Sequence, residues 1–156
     1  MTARNPIDLT EEEPITSLSS AEIEEGANVF LDLTAVLHSP QKWDDLQFID
    51  DYDWRTFKSK VSRASATIIF FTTLPLNLFV KRNLYDLGID NPVFFVKNKT
   101  TAIKALASDQ PIVVIDRDVC IVQQLRKKFP EATAYWAMTQ EKLTLWKVIS
   151  QFIDLF

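Results

Sequence analysis

Short, dense apolar runs alternate along this chain with longer segments in which apolar residues recur every three or four positions. The runs are 29–32, 67–72, 92–96, 111–116 and 132–137. They are rich in Val, Ile and Phe and do not alternate apolar with polar residues, which is how strands buried on both faces read. Between them, Trp54, Phe57 and Val61 follow a helical period, with acids ahead of them and Arg55, Lys58 and Lys60 interleaved in the sense that suits the helix dipole. Leu76, Val80, Leu84 and Leu87 make a second helical stripe, and Gly88 stands where a C-cap glycine belongs. Further helices are predicted over 101–107, over 119–129 through Ile121, Val122, Leu125 and Phe129, and over 141–156 through Leu145, Val148, Phe152 and Leu155. Strands alternating with helices specify the α/β class: a single Rossmann-like domain spanning 28–156, with a mostly parallel five-stranded sheet flanked by helices and joined by right-handed crossovers.

The two ends of the chain depart from this rhythm. Residues 1–27 hold Glu11, Glu12, Glu13 and Pro14 and a second acidic patch of Glu22, Glu24 and Glu25, with few apolar residues, and are expected to form a flexible acidic arm with a short capped turn over 20–24. The last helix is apolar around more than a third of its circumference through Trp146, Ile149, Phe152, Ile153 and Phe156. That width predicts burial against the sheet and against a second surface, a homodimer through this helix being one such arrangement.

Composition narrows the function classes. The 156 residues suit one domain, and a formal net charge of −4 argues against a duplex nucleic-acid partner, which requires a basic footprint. No apolar stretch is long enough to span a membrane, and the acidic, polar start is unlike a signal peptide, so a cytoplasmic protein is expected. The single cysteine, Cys120, makes no internal bridge and is expected to be a buried thiol in a reducing compartment. The two glycines, Gly26 and Gly88, cannot supply a glycine-rich phosphate loop, so a phosphate site here has to be built from side chains and helix starts.

The candidate chemistry sits at strand ends. The first strand runs apolar into Asp32, and a carboxylate in such a place must be paired, hydrogen-bonded or at the solvent edge. In parallel α/β sheets ligands bind outside the carboxyl ends of the strands. Four strands present a polar group there: Asp32, Thr72, Lys99 and Asp116. A carboxylate nucleophile, a hydroxyl and an ammonium that bind phosphate oxygens, and a second carboxylate that holds Mg²⁺ form a phosphoryl-transfer site.

In the order and spacing of these four motifs, from about residue 29 to 137, the chain resembles the haloacid dehalogenase-like superfamily of hydrolases. The resemblance implies that Asp32 is the nucleophile, that Thr72 supplies the second motif's hydroxyl with Thr73 as a rival one residue on, and that Lys99 is the third motif's lysine with Lys97 as its rival. It implies further that Asp116 binds Mg²⁺ together with Asp32, the main-chain carbonyl of Thr34 and, as a substitute from one position away, Asp118. Three departures stand out. Thr34 occupies the position of the general acid/base that phosphatases of the superfamily carry, as it does in the P-type ATPases, which form long-lived aspartyl-phosphates. Ala35 and Val36 replace the small residue and Thr that normally follow, and Arg117 or Cys120 stands where a second acid of the fourth motif is usual. Loss of a general acid/base is typically worth about 10²- to 10⁴-fold in rate.

Two functions follow as expectations. One is a slow Mg²⁺-dependent phosphohydrolase without a full cap domain, its opening covered by Trp43, Phe48 and Trp54 and its substrate a phosphorylated compound. The other is a noncatalytic protein of the same fold that acts as an interaction module for a protein partner. His38, the sole histidine, lies just beyond the first motif and is a minor candidate for the missing acid/base.

Overall fold

The computed structural model describes residues 13–38, 47–73 and 78–154. Strands β1 (Asn28–Asp32), β2 (Thr67–Thr72), β3 (Val93–Phe95), β4 (Ile112–Asp116) and β5 (Thr133–Trp136) form one sheet in the order β3-β2-β1-β4-β5. Every pairing is parallel. Helices α1 (Asp51–Arg63), α2 (Leu78–Asp86), α3 (Lys99–Leu106), α4 (Val119–Lys128) and α5 (Gln140–Asp154) complete a Rossmann-like α/β fold. Among its described residues, the connection from β1 to β2 holds only the 3₁₀ turn Leu33–Ala35 and α1.

The central strand explains why its apolar run is unbroken. Val29 and Leu31 face one side, where Trp54, Phe57 and Val61 of α1 and Val80 and Leu84 of α2 cover them. Phe30 faces the other, packed with Phe71, with Ile103 of α3 and with Val122 and Leu125 of α4. With both faces covered, alternation would place polar groups in a core on every second residue.

Local signals end the helices where their residue types demand. Asp50 accepts the Asp53 N–H and caps α1, Asn98 accepts the Thr101 N–H and caps α3, and Asp118 accepts the Cys120 N–H and caps α4. At the end of α2, Gly88 has φ of +83°, with Ile89 N–H bonded to Leu84 O and Gly88 N–H to Tyr85 O, the paired bonds of a Schellman stop.

Four expectations need correction. The described part of the N-terminal segment is packed onto the domain rather than forming a free arm. Ile15 bridges to Ala137 beyond β5, and Leu18, Ala21 and Ala27 are buried. Its short turn falls at Leu18–Ser20, ahead of the expected 20–24, because both Asp53 carboxylate oxygens accept from Leu18 and Ser19. Cys120 is exposed: Val122 and Leu125 set the inward face of α4, and two residues' rotation turns Cys120 about 200° from Val122. Trp54 is a core residue stacked with Phe48, so it covers no opening, and Trp43 lies outside the described residues.

The fourth correction concerns α5. Leu145, Val148, Ile149, Phe152 and Ile153 are exposed, and only Leu143, Trp146 and Ser150 are half-buried. The flank of the sheet that presents Tyr135 is packed instead with Ile15, Leu18 and Ile23 from the N-terminal segment, and the Tyr135 hydroxyl accepts the Glu22 N–H. The expected stripe residue Leu155, and Phe156, lie outside the described residues. No helix among the described residues is long and apolar enough to cross a membrane.

Candidate active site

Strands β1 and β4 are parallel neighbours with Leu31 opposite Ile115, so Asp32 and Asp116, one residue on in each, leave the carboxyl edge of the sheet side by side. The strand order reverses here: the chain builds β2 and β3 on one side of β1 before returning to β4 on the other, the crevice-forming point of an open α/β sheet. Across it, α3 begins at Lys99 directly after its Asn98 cap. Lys99 Nζ lies 2.5 Å from Asp32 Oδ2 and 2.5 Å from Asp116 Oδ2. Lys99 is 8 % exposed and Asp116 2 %, so all three groups interact largely out of water.

The other carboxylate oxygens are held too. Asp32 Oδ1 accepts the Thr34 N–H at 2.8 Å and the Thr34 hydroxyl at 2.7 Å, and Asp116 Oδ1 accepts the Asp118 N–H at 2.9 Å. Burial pulls the Lys99 pKa down, but the Asp32 and Asp116 carboxylates outweigh it and leave Lys99 above its ordinary value. Burial and, next, the Asp32 charge push the Asp116 carboxyl up to about 6, against the opposing pull of Lys99 and the Asp118 N–H. Lys99 is thus the cation that permits two carboxylates to sit together.

The cleft above these groups has a volume of about 590 Å³ and is lined by Asp32, Thr34, Lys99, Asp116, Arg117 and Asp118, with Val119, Ile121, Trp136 and Met138 as an apolar wall. Thr73 lines it and Thr72 does not. Thr72, the last residue of β2, is buried beneath it. Between the two candidate lysines the structure places Lys99 in the site, whereas Lys97 is exposed. Asp118 lines the cleft, but its carboxylate is engaged as the α4 cap. His38 is exposed and is not among the cleft's lining residues. A separate cavity of about 40 Å³ lies beside Trp54, whose buried indole N–H has no partner among the described residues; its size suits ordered water rather than a ligand.

Two cations complete the cleft. Arg117 does not pair with Asp116, as its neighbouring position suggests; its Nη1 donates to the Thr34 carbonyl at 3.1 Å, and its own carbonyl accepts the Trp136 indole N–H at 3.2 Å. Lys142, in the first turn of α5, also lines the cleft. Burial and the Arg117 charge hold the Lys142 pKa below its ordinary value. Nothing in the sequence marks Lys142, which reads as a solvated lysine at a helix start.

Each donor expected for Mg²⁺ is already engaged by a protein group. Both Oδ2 atoms face the Lys99 ammonium, both Oδ1 atoms accept N–H groups, and the Thr34 carbonyl accepts a guanidinium. A hard dication needs oxygen ligands with outward lone pairs and would have to sit against two fixed cations here. Among the described residues no group of three or more His, Cys, Asp or Glu side chains could hold a metal ion.

No protein-family model, curated protein or solved structure matches the chain. The functional reading therefore rests on the residues themselves.

Proposed function

We propose that the cleft binds a phosphorylated compound and that Asp32 accepts its phosphoryl group, as in the haloacid dehalogenase-like hydrolases that the motifs resemble, at an attenuated rate. The observation that carries this reading is Lys99 bridging Asp32 and Asp116 at the switch point of the sheet. In the first step a carboxylate oxygen of Asp32 attacks phosphorus, the bond from phosphorus to the leaving oxygen breaks, and its electron pair departs on that oxygen. In the second, water attacks the acyl phosphate, the bond from phosphorus to the Asp32 oxygen breaks, and inorganic phosphate and a proton are released. Lys99 counters negative charge on the transferring group, and the Thr34 N–H and hydroxyl fix the Asp32 carboxylate for attack.

Thr34 has no proton to give at neutral pH, and its hydroxyl is spent on Asp32. Thr34 therefore gives the leaving oxygen no proton, which favours aryl phosphates, acyl phosphates and phosphoanhydrides over simple alkyl esters. The apolar wall of Val119, Ile121, Trp136 and Met138 suits a ligand with an apolar or aromatic body. Steady-state turnover of an aryl phosphate tests the proposal. Slow hydrolysis that Asp32→Asn abolishes is expected; turnover unchanged by that substitution, or none at all in the wild type, contradicts it.

A second reading, a noncatalytic interaction module, is favoured by the bare apolar face of α5. It predicts self-association or capture of a protein partner through Leu145, Ile149 and Phe152. Light scattering of the wild type against Ile149→Glu tests it.

A further inference from the structure

We infer that the cleft binds the phosphoryl group of its ligand without a divalent cation, Arg117 and Lys142 supplying the positive charge that a metal would otherwise bring. This rests on the phosphoryl-binding reading above and deepens it. Arg117 occupies the Thr34 carbonyl, the one main-chain oxygen assigned to a metal by the resemblance.

Charge points the same way. Asp32, Asp116 and Asp118 line the cleft against Lys99, Arg117 and Lys142, three carboxylates against three cations. By the resemblance, the position of the usual general acid is a neutral Thr34, and the second acid of the fourth motif is replaced by the cation Arg117 or by Cys120. Each change removes negative charge that a dication would neutralise, and Arg117 adds a positive charge in its place. Among the described residues neither Arg117 nor Lys142 forms a salt bridge to a carboxylate. Among the described residues only one Arg117 side-chain donor has a partner, the bond to Thr34, and the other N–H groups of its planar fork suit phosphate oxygens. Two like charges share one cleft, and Lys142 is held below its usual pKa by desolvation and by Arg117. An anion between them relieves that repulsion. Trp136 fixes the Arg117 main chain through its indole N–H, so the cation is positioned before the ligand arrives.

The test is calorimetric titration of the full chain with inorganic phosphate, once in excess EDTA and once in millimolar Mg²⁺. Equal affinity in the two buffers is expected, with about tenfold or greater weakening in Arg117→Ala and a smaller loss in Lys142→Ala, the usual scale for charge-assisted hydrogen bonds. Arg117→Asp, which returns an acid to that position, is expected to make phosphate binding Mg²⁺-dependent. The wild-type comparison needs no variant, so it decides the matter even if an Arg117 substitution fails to fold. Phosphate binding that appears only with Mg²⁺ overturns this inference and leaves the phosphoryl-binding proposal standing. Absence of phosphate binding in both buffers overturns the two together.

Discussion

The inner and outer halves of the cleft are built on opposite plans. Inside, Asp32, Lys99 and Asp116 are largely buried and every carboxylate oxygen accepts a hydrogen bond. Outside, Arg117 and Lys142 are cations without a salt-bridge partner among the described residues, one on a loop and the other at the start of a thinly packed helix. The inner half has its charges satisfied by the protein itself, so it keeps its geometry whether or not ligand is present. The outer half leaves positive charge unsatisfied, which is what binding an anion requires. The two halves thus meet at neighbouring residues, Asp116 at the end of β4 and Arg117 directly after it.

Removing the inner cation should break the contrast most severely. Lys99→Met leaves two carboxylates together in low dielectric, and stripping one partner from a buried ionic group typically costs about 3–5 kcal/mol. Chemical denaturation of the variant should show a loss of that size near neutral pH, shrinking as the solution is acidified and the carboxylates protonate. A loss under about 1 kcal/mol would mean the ammonium is not what holds the pair together.

A second test uses pH. The Asp116 carboxyl is raised to about 6 in the folded chain, above the roughly 3.9 of an unfolded Asp, so the folded state holds a proton that the unfolded state has lost. Its contribution to stability is fully present below about pH 4 and is lost as pH rises through about 6, with a span of at most about 3 kcal/mol. Wild type should therefore lose stability relative to Asp116→Asn across that window, as followed by thermal melts at successive pH values. A difference that is flat with pH contradicts the buried placement of Asp116.

Substitutions in the outer half should spare the fold. Arg117→Ala gives up one hydrogen bond to a main-chain carbonyl, worth about 1–2 kcal/mol in stability, and its larger effect should fall on phosphate affinity. Lys142→Ala should leave the melting temperature within about a degree or two, since surface substitutions usually change stability by less than 0.5 kcal/mol, and should weaken phosphate binding only a few-fold. If instead Lys142→Ala matched Lys99→Met in stability loss, the two halves would not differ in kind.

The same contrast explains what the sequence made legible. Strands buried on both faces leave an unmistakable apolar run, so β1, β2 and β4 and the acids that end β1 and β4 were readable, whereas Lys99 was singled out only by the resemblance, with Lys97 as its rival. Thr72 and Thr73 were not separable because the apolar run leads up to both, and only the backbone decides which of them lines the cleft. Arg117 was visible as a neighbour of Asp116, but its bond to Thr34 joins residues 83 positions apart and depends on the turn after β1. Lys142 carried no signal, since its role comes from where α5 starts. The wide apolar face of α5 was equally plain, yet its exposure depends on the N-terminal segment packing the Tyr135 flank, a competition between two distant segments that periodicity does not register.

Intact-mass spectrometry of the full chain, quenched during incubation with an aryl phosphate, bears most directly on the phosphoryl-acceptor role of Asp32. A species heavier by one phosphoryl group, mapped to Asp32 and missing from Asp32→Asn, is the expected result. An adduct on another residue, or none under conditions where the ester is being hydrolysed, would contradict it.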